Sequence, residues 1–213
     1  MKEIDVALTD YALTVLCFLF VFMLIKDYSN SSLRNWFAIL FLSVGLAAVL
    51  GGTVHGFFHE NSLSYAIFWD STLLSIGVSA LSAWMIGAVI MFGTKGRKAV
   101  SVLAIVNFAF YLFYVLFFNQ SFGVAVANYL PAAFFLLIAF FMAYKRTVHR
   151  LALFALIGLI LTFVAAGIQQ LEIGIHAQYF NHNALYHLIQ ALGLFLVFRG
   201  ARFMVRFARL FAG

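Results

Sequence analysis

Residues 181–195 read NHNALYHLIQALGLF and open the last long apolar run of the chain. The run beyond Asn183 is hydrophobic enough to sit in hydrocarbon, yet His182, Asn183, Tyr186 and His187 stand at its entrance. Hydrocarbon cannot solvate an ionisable ring, so a histidine at that depth needs a partner from another part of the chain. Working outward from this stretch, the sequence offers His55, His59 and Asp70, all close to the ends of other apolar runs. Whether these groups meet decides what kind of membrane protein this is.

The composition sets the class. The 213 residues are 65% hydrophobic and 9% charged, and mean hydropathy is +1.05. A water-soluble domain of that length cannot hide so much apolar surface, which predicts a polytopic membrane protein. The apolar runs are roughly 20 residues long, whereas barrel strands would alternate over shorter segments. The expected fold is therefore all-α, a single seven-transmembrane-helix bundle with spans at about 6–25, 35–58, 64–92, 99–118, 123–144, 151–171 and 183–198. Residues 199–213 read as a basic amphipathic tail, with Arg199, Arg202, Arg206 and Arg209 recurring every three or four residues beside Phe, Leu and Val. That pattern fits an interfacial anchor on anionic lipid and not nucleic-acid binding. Pro131, the only proline, either kinks the fifth span or lies in its first turn. Cys17 is the only cysteine, so no intrachain disulfide is possible. The N-terminal stretch has neither the basic n-region nor the cleavage site of a secretory signal peptide.

Charge gives the orientation. With seven spans, all of the 13 lysines and arginines except Lys2 fall on one side. The positive-inside rule puts that side, and the C-terminus, in the cytoplasm and the N-terminus outside. The net charge of +6 is then a topology signal and does not call for an acidic partner. The expected address is a multi-pass protein of a bacterial inner membrane, with membrane lipids as neighbours and the oligomeric state left open.

The histidines segregate the other way. His55, His59, His176, His182 and His187 lie at the outer end with Asp10, Glu60, Asp70 and Glu172, and only His149 lies in a basic inner turn. His55 and His59 are four apart, which puts both rings on one helical face and suits two ligands of one metal. His59 reads equally as a solvated residue past the helix end, and His55 and His187 as core histidines satisfied by one polar neighbour each. Asp70, in an otherwise apolar turn, needs a cation, a histidine, a metal-bound water or a proton. Asp10 reads as a first-turn carboxylate favoured by the helix dipole. Gln169, Gln170 and Gln190 read as polar bridges between helices, and Gly45, Gly51, Gly52 and Gly56 as sites of close packing. Thr53 and Ser71 are candidate hydroxyl donors in the same layer. The seventh span has no lysine in its body for a retinal Schiff base, and no HExxH, GxSxG, P-loop or dinucleotide fingerprint occurs.

Seven spans, His55 late in the second, Asp70 early in the third and the NALYHLIQALG stretch opening the seventh together resemble the CREST superfamily of alkaline ceramidases and progestin/adiponectin-type receptors. The resemblance covers the topology of most of the chain and a few residues. It implies that His55 and His187 are zinc ligands and that Asp70 orients or deprotonates the zinc-bound water. Asn183 stands where the family has its first seventh-span histidine, and Gly51 where it has a serine. His182 or His59 would then supply the missing ligand. The function implied is a zinc-dependent intramembrane hydrolase of a lipid amide, ceramidase-like, with Asp70, Thr53 and Ser71 as catalytic groups and an apolar cavity lined by phenylalanines. The competing expectation is a non-enzymatic sensor, receptor-like or ligand-binding bundle in which the histidines and Asp70 form a structural network. A proton- or metal-coupled carrier is a third class, but no polar path continues towards the inner end.

Overall fold

The computed structural model describes residues 4–28, 30–59, 62–176 and 180–210, and of residue 209 the backbone alone. Lys2, Glu60 and the side chain of Arg209, which entered the charge pattern above, lie outside the described residues. Seven helices run in order: α1 Ile4–Asp27, α2 Ser32–Phe57, α3 Leu63–Met91, α4 Thr94–Phe117, α5 Phe122–Thr147, α6 Arg150–Gln170 and α7 His182–Arg206. All seven are long and apolar enough to cross a membrane. A short 3₁₀ turn, Ala208–Leu210, comes after α7. The only β pairing among the described residues is an isolated bridge between His176 and Phe180 in the α6–α7 connection.

Local chemistry sets where the helices start. Ser31 accepts a hydrogen bond from the N–H of Arg34 and caps α2, and Ser62 does the same for α3 through Tyr65. Asn181 accepts from the N–H groups of Asn183 and Ala184 and caps α7. Each cap satisfies donors that a first helical turn leaves without partners. Pro131 lies well inside α5, not in its first turn. The helix that opens with the NHNALYH stretch runs unbroken to Arg206, so residues 199–206, the start of the basic amphipathic segment, are its last two turns.

Six helices close a ring in which α1, α2, α3, α5, α6 and α7 each pack on the next and α7 returns to α1. The α4 helix stands outside, laid on α3 and tied to α5 by Asn107 donating to Asn128 at 2.9 Å. Two interfaces depend on missing side chains. A Cβ on Gly158 of α6 would run into the carbonyl of Gly193 on α7, so these backbones meet almost directly. A Cβ on Gly52 of α2 would stand 2.7 Å from the Cβ of Asp10, so that glycine makes the space Asp10 occupies. Small residues at such crossings let helix backbones approach and gain dispersion contacts that lipid cannot outcompete.

The inner half of the ring is filled by aromatic packing. Phe20 stacks on Phe198 at 4.2 Å between ring centroids and meets Phe41 edge-on at 5.3 Å. Phe37, Phe41 and Phe140 are fully buried, while Phe110, Phe113 and Phe117 of α4 point outward. The phenylalanines expected around a lipid-tail cavity thus divide between the packed core and the outer surface.

Candidate functional site

The histidine-bearing polar layer is built where α1, α2 and α7 converge. His187 Nε2 lies 3.1 Å from Asp10 Oδ1, with the two side chains only 11% and 6% exposed. On the other edge of the same ring, His187 Nδ1 lies 3.1 Å from Thr9 Oγ1. Thr9 and Asp10 are consecutive, so their side chains leave α1 about 100° apart. That divergence lets one helix hold both nitrogens of a single imidazole.

Counting protons narrows what this centre can be. Thr9 Oγ1 sits 2.9 Å from the carbonyl of Val6 and 3.1 Å from that of Asp5, so its one proton can turn along its own helix. With the proton turned there, it accepts from His187 Nδ1–H; with the proton turned to the ring, it donates to Nδ1 instead. In either case the contact between Nε2 and Oδ1 holds one proton between imidazole and carboxyl. Every form leaves both His187 nitrogens engaged.

Other groups face the same layer. His55 of α2 lies within electrostatic range of His187. Tyr186 hydrogen-bonds Gln190 one turn along α7 and lies within electrostatic range of Asp10 and of Tyr129 from α5. Tyr11 and Thr53 meet through their hydroxyls at 3.2 Å, and Thr53 also donates to the carbonyl of Val49 at 2.6 Å. Gln169 donates to Asn183 Oδ1 at 3.1 Å and joins α6 to α7. The N–H of Asn181 donates to Asp5 Oδ2 at 3.2 Å and fastens the start of α7 to α1.

The carboxylate that meets His187 is therefore Asp10. It lies beyond the first turn of α1 and is buried, whereas the sequence suggests a first-turn residue stabilised by the dipole. Asp70 sits elsewhere. It shares a helical face with Gly77, seven residues on, and Gly77 packs against Tyr111 and Phe108 of α4. That face looks out of the ring, and α7 takes its main contacts from α6, α1 and α2. Asp70 forms no hydrogen bond or ion pair with a described residue. Ser71 donates to the carbonyl of Ile67 at 2.7 Å, so its proton is engaged on its own helix. His59 is exposed in the turn after α2, and His182 is the first residue of α7. Asn183, in place of a family histidine, is engaged by Gln169. Among the described residues, no three His, Cys, Asp or Glu side chains converge as a metal site requires. With both His187 nitrogens engaged and no converging third ligand among the described residues, the donor set as placed does not fit zinc.

Tyr129 and Thr9 join the layer without a sequence signal. Each is an ordinary residue in an apolar run, and only helix rotation brings it inward. For Asp10 there was a signal: an acid well within a run of hydrophobic residues has the same need for a partner as Asp70.

These features define a multi-pass integral membrane protein of seven helices with a carboxylate–imidazole centre buried near one end. The chain belongs to the DUF6962 family, a family of unknown function whose model matches residues 6–206. No curated protein and no solved structure gives a significant match.

Proposed function

We propose that this protein is a non-enzymatic ligand-binding or sensing bundle of the receptor-like kind, with the Asp10–His187 centre as its binding site. One observation carries the reading: His187 is held on both nitrogens by Thr9 and Asp10 inside a ring that also directs His55, Tyr129, Tyr186 and Gln190 to the same layer. Holding helices together in a membrane does not require so many polar groups in one layer, since each is costly to bury. The group best matched to this layer is small and polar, able to take or give the proton shared by Asp10 and His187. The charge asymmetry supports placing this end outside and the arginine end of α7 in the cytoplasm.

The test uses detergent-purified full-length chain and its His187→Phe variant. Thermal unfolding is followed with small carboxylates, amines and polyols, and separately with zinc. A ligand at about 100 times its Kd stabilises by about 2.7 kcal/mol, which for a chain of this length raises Tm by roughly 5–10 °C. A shift in the wild type that is lost in the variant supports the binding reading. One zinc per chain in the wild type, lost in His55→Ala/His187→Ala, together with turnover of a ceramide-like amide, overturns it. The zinc-dependent lipid-amide hydrolase would then take its place.

A further inference from the structure

At the opposite end of α7 the ring opens into two adjoining clefts, of about 590 Å³ and 350 Å³, which share Tyr28, Arg202 and Arg206. Arg199 and His149 complete the basic lining of the smaller one. Among the described residues, Asp27 is the only acidic one lining either cleft. It is already engaged: Arg202 donates to Asp27 Oδ2 at 3.3 Å and to the hydroxyl of Tyr28 at 3.0 Å. Arg202 is thereby fixed in place.

Its neighbours on the same stripe are not. Arg199 and Arg206 are exposed and form no hydrogen bond or ion pair with a described residue. Each guanidinium instead lies over an aromatic ring, Arg199 at 5.9 Å from the centroid of Phe195 and Arg206 at 5.9 Å from that of Phe207. A guanidinium held by its face keeps its N–H edge free, and that edge matches the oxygens of a phosphate. Phe195 and Phe207 are themselves 39% and 44% exposed, on the outside of a membrane-spanning bundle. Phe195 lies one turn before Arg199 along α7, so an anion bound here would have that apolar ring on the side where acyl chains run.

We propose that this cleft binds the phosphate of an anionic phospholipid, with Arg199 and Arg206 contacting the phosphate and the Arg202–Asp27–Tyr28 cluster holding the stripe in register. A free phosphate offers the same oxygens, but it would make no use of Phe195. The site is independent of the histidine layer, which lies at the other end of the same helix.

The experiment is native mass spectrometry of the detergent-purified full chain offered phosphatidylglycerol or phosphatidylcholine, with inorganic phosphate in a parallel thermal-unfolding series. The expected result is selective retention of phosphatidylglycerol, weakened roughly thirtyfold in Arg199→Gln/Arg206→Gln, since each arginine near an anionic lipid surface contributes about a fivefold factor. Lys95→Gln/Lys98→Gln removes two exposed charges outside the cleft and should leave retention unchanged. Equal retention of the two lipids, or equal losses in the arginine and lysine variants, overturns the proposal. Protection by inorganic phosphate without selective lipid retention overturns the lipid assignment. All these side chains are exposed, and unfolding without lipid confirms that each variant is folded.

Discussion

Two acid–base pairs join the same two helices, and they differ in almost everything except length. Asp10–His187 closes at 3.1 Å at the end where α1 starts, and Asp27–Arg202 at 3.3 Å at the opposite, basic end of the same two helices. Along either helix the two pairs are roughly 22–25 Å apart at 1.5 Å per residue, most of the depth of a hydrocarbon core. The Asp27–Arg202 pair is about one-third exposed on each side chain, while the Asp10–His187 pair is nearly sealed. An exposed pair is weakened by water and salt, and holding two side chains in one geometry offsets most of its attraction. A sealed pair has no alternative partner, so losing either member strands the other. Distance therefore says little about what such a contact is worth, and surroundings say most of it.

The sharpest way to break the comparison is Asp10→Ala. It should cost about 3 kcal/mol in denaturant unfolding in detergent, because His187 keeps its burial and loses the group sharing its proton. His187→Phe should cost about 2 kcal/mol, since the new ring fills the space but leaves Asp10 and Thr9 unpaired. Asp10→Leu/His187→Phe should be milder than the sum of the single changes, and strict additivity would mean that the two side chains do not act as a unit. At the basic end, Asp27→Ala should cost less than about 1 kcal/mol, and 1 M salt should erase the difference from wild type. A loss as large as that from Asp10→Ala would show that burial is not what separates the pairs. The smallest effect is expected from Gln169→Leu. It removes a neutral amide contact to Asn183 at the histidine end and should cost about 0.6 kcal/mol by the same measurement. A larger loss would mean that position at the histidine end matters more than charge.

The helices were legible because their signal is additive. Seven apolar runs separated by polar turns show in any averaging window, and Ser31, Ser62 and Asn181 mark three of the starts. The close-packing role of Gly45, Gly52 and Gly56 was readable for a similar reason: a glycine within an apolar helix has few uses besides admitting a neighbour. Gly45 admits Phe18, Gly52 admits Asp10 and Gly56 admits Ala7. The partner of His187 was harder to read. Asp10 and Asp70 are both lone acids at the same depth, and what separates them is the rotation of each helix and its place in the ring. Rotation is set by packing of whole faces, which the hydrophobic pattern of a span apolar nearly all round does not record. The resemblance to a zinc-hydrolase superfamily added weight to Asp70, but Gly77 turns that face towards α4. Asn183 carried its own warning, and its contact with Gln169 supplies the physical reason why an amide suits that position.

The closure of the ring by α1 and α7 has a consequence for biogenesis. Thr9 and His187 are 178 residues apart in the chain. At about 5–20 residues per second, a ribosome delivers the second roughly 10–35 s after the first. Through that interval Asp10 sits in a nascent membrane segment without the histidine that completes it. Early on, Gly52 and the rest of α2 can shelter one side of it, and the other side stays open until the last helix arrives. The carboxylate thus marks an unfinished chain: a product stalled before α7 displays an acid that the completed fold conceals, which membrane quality control could recognise.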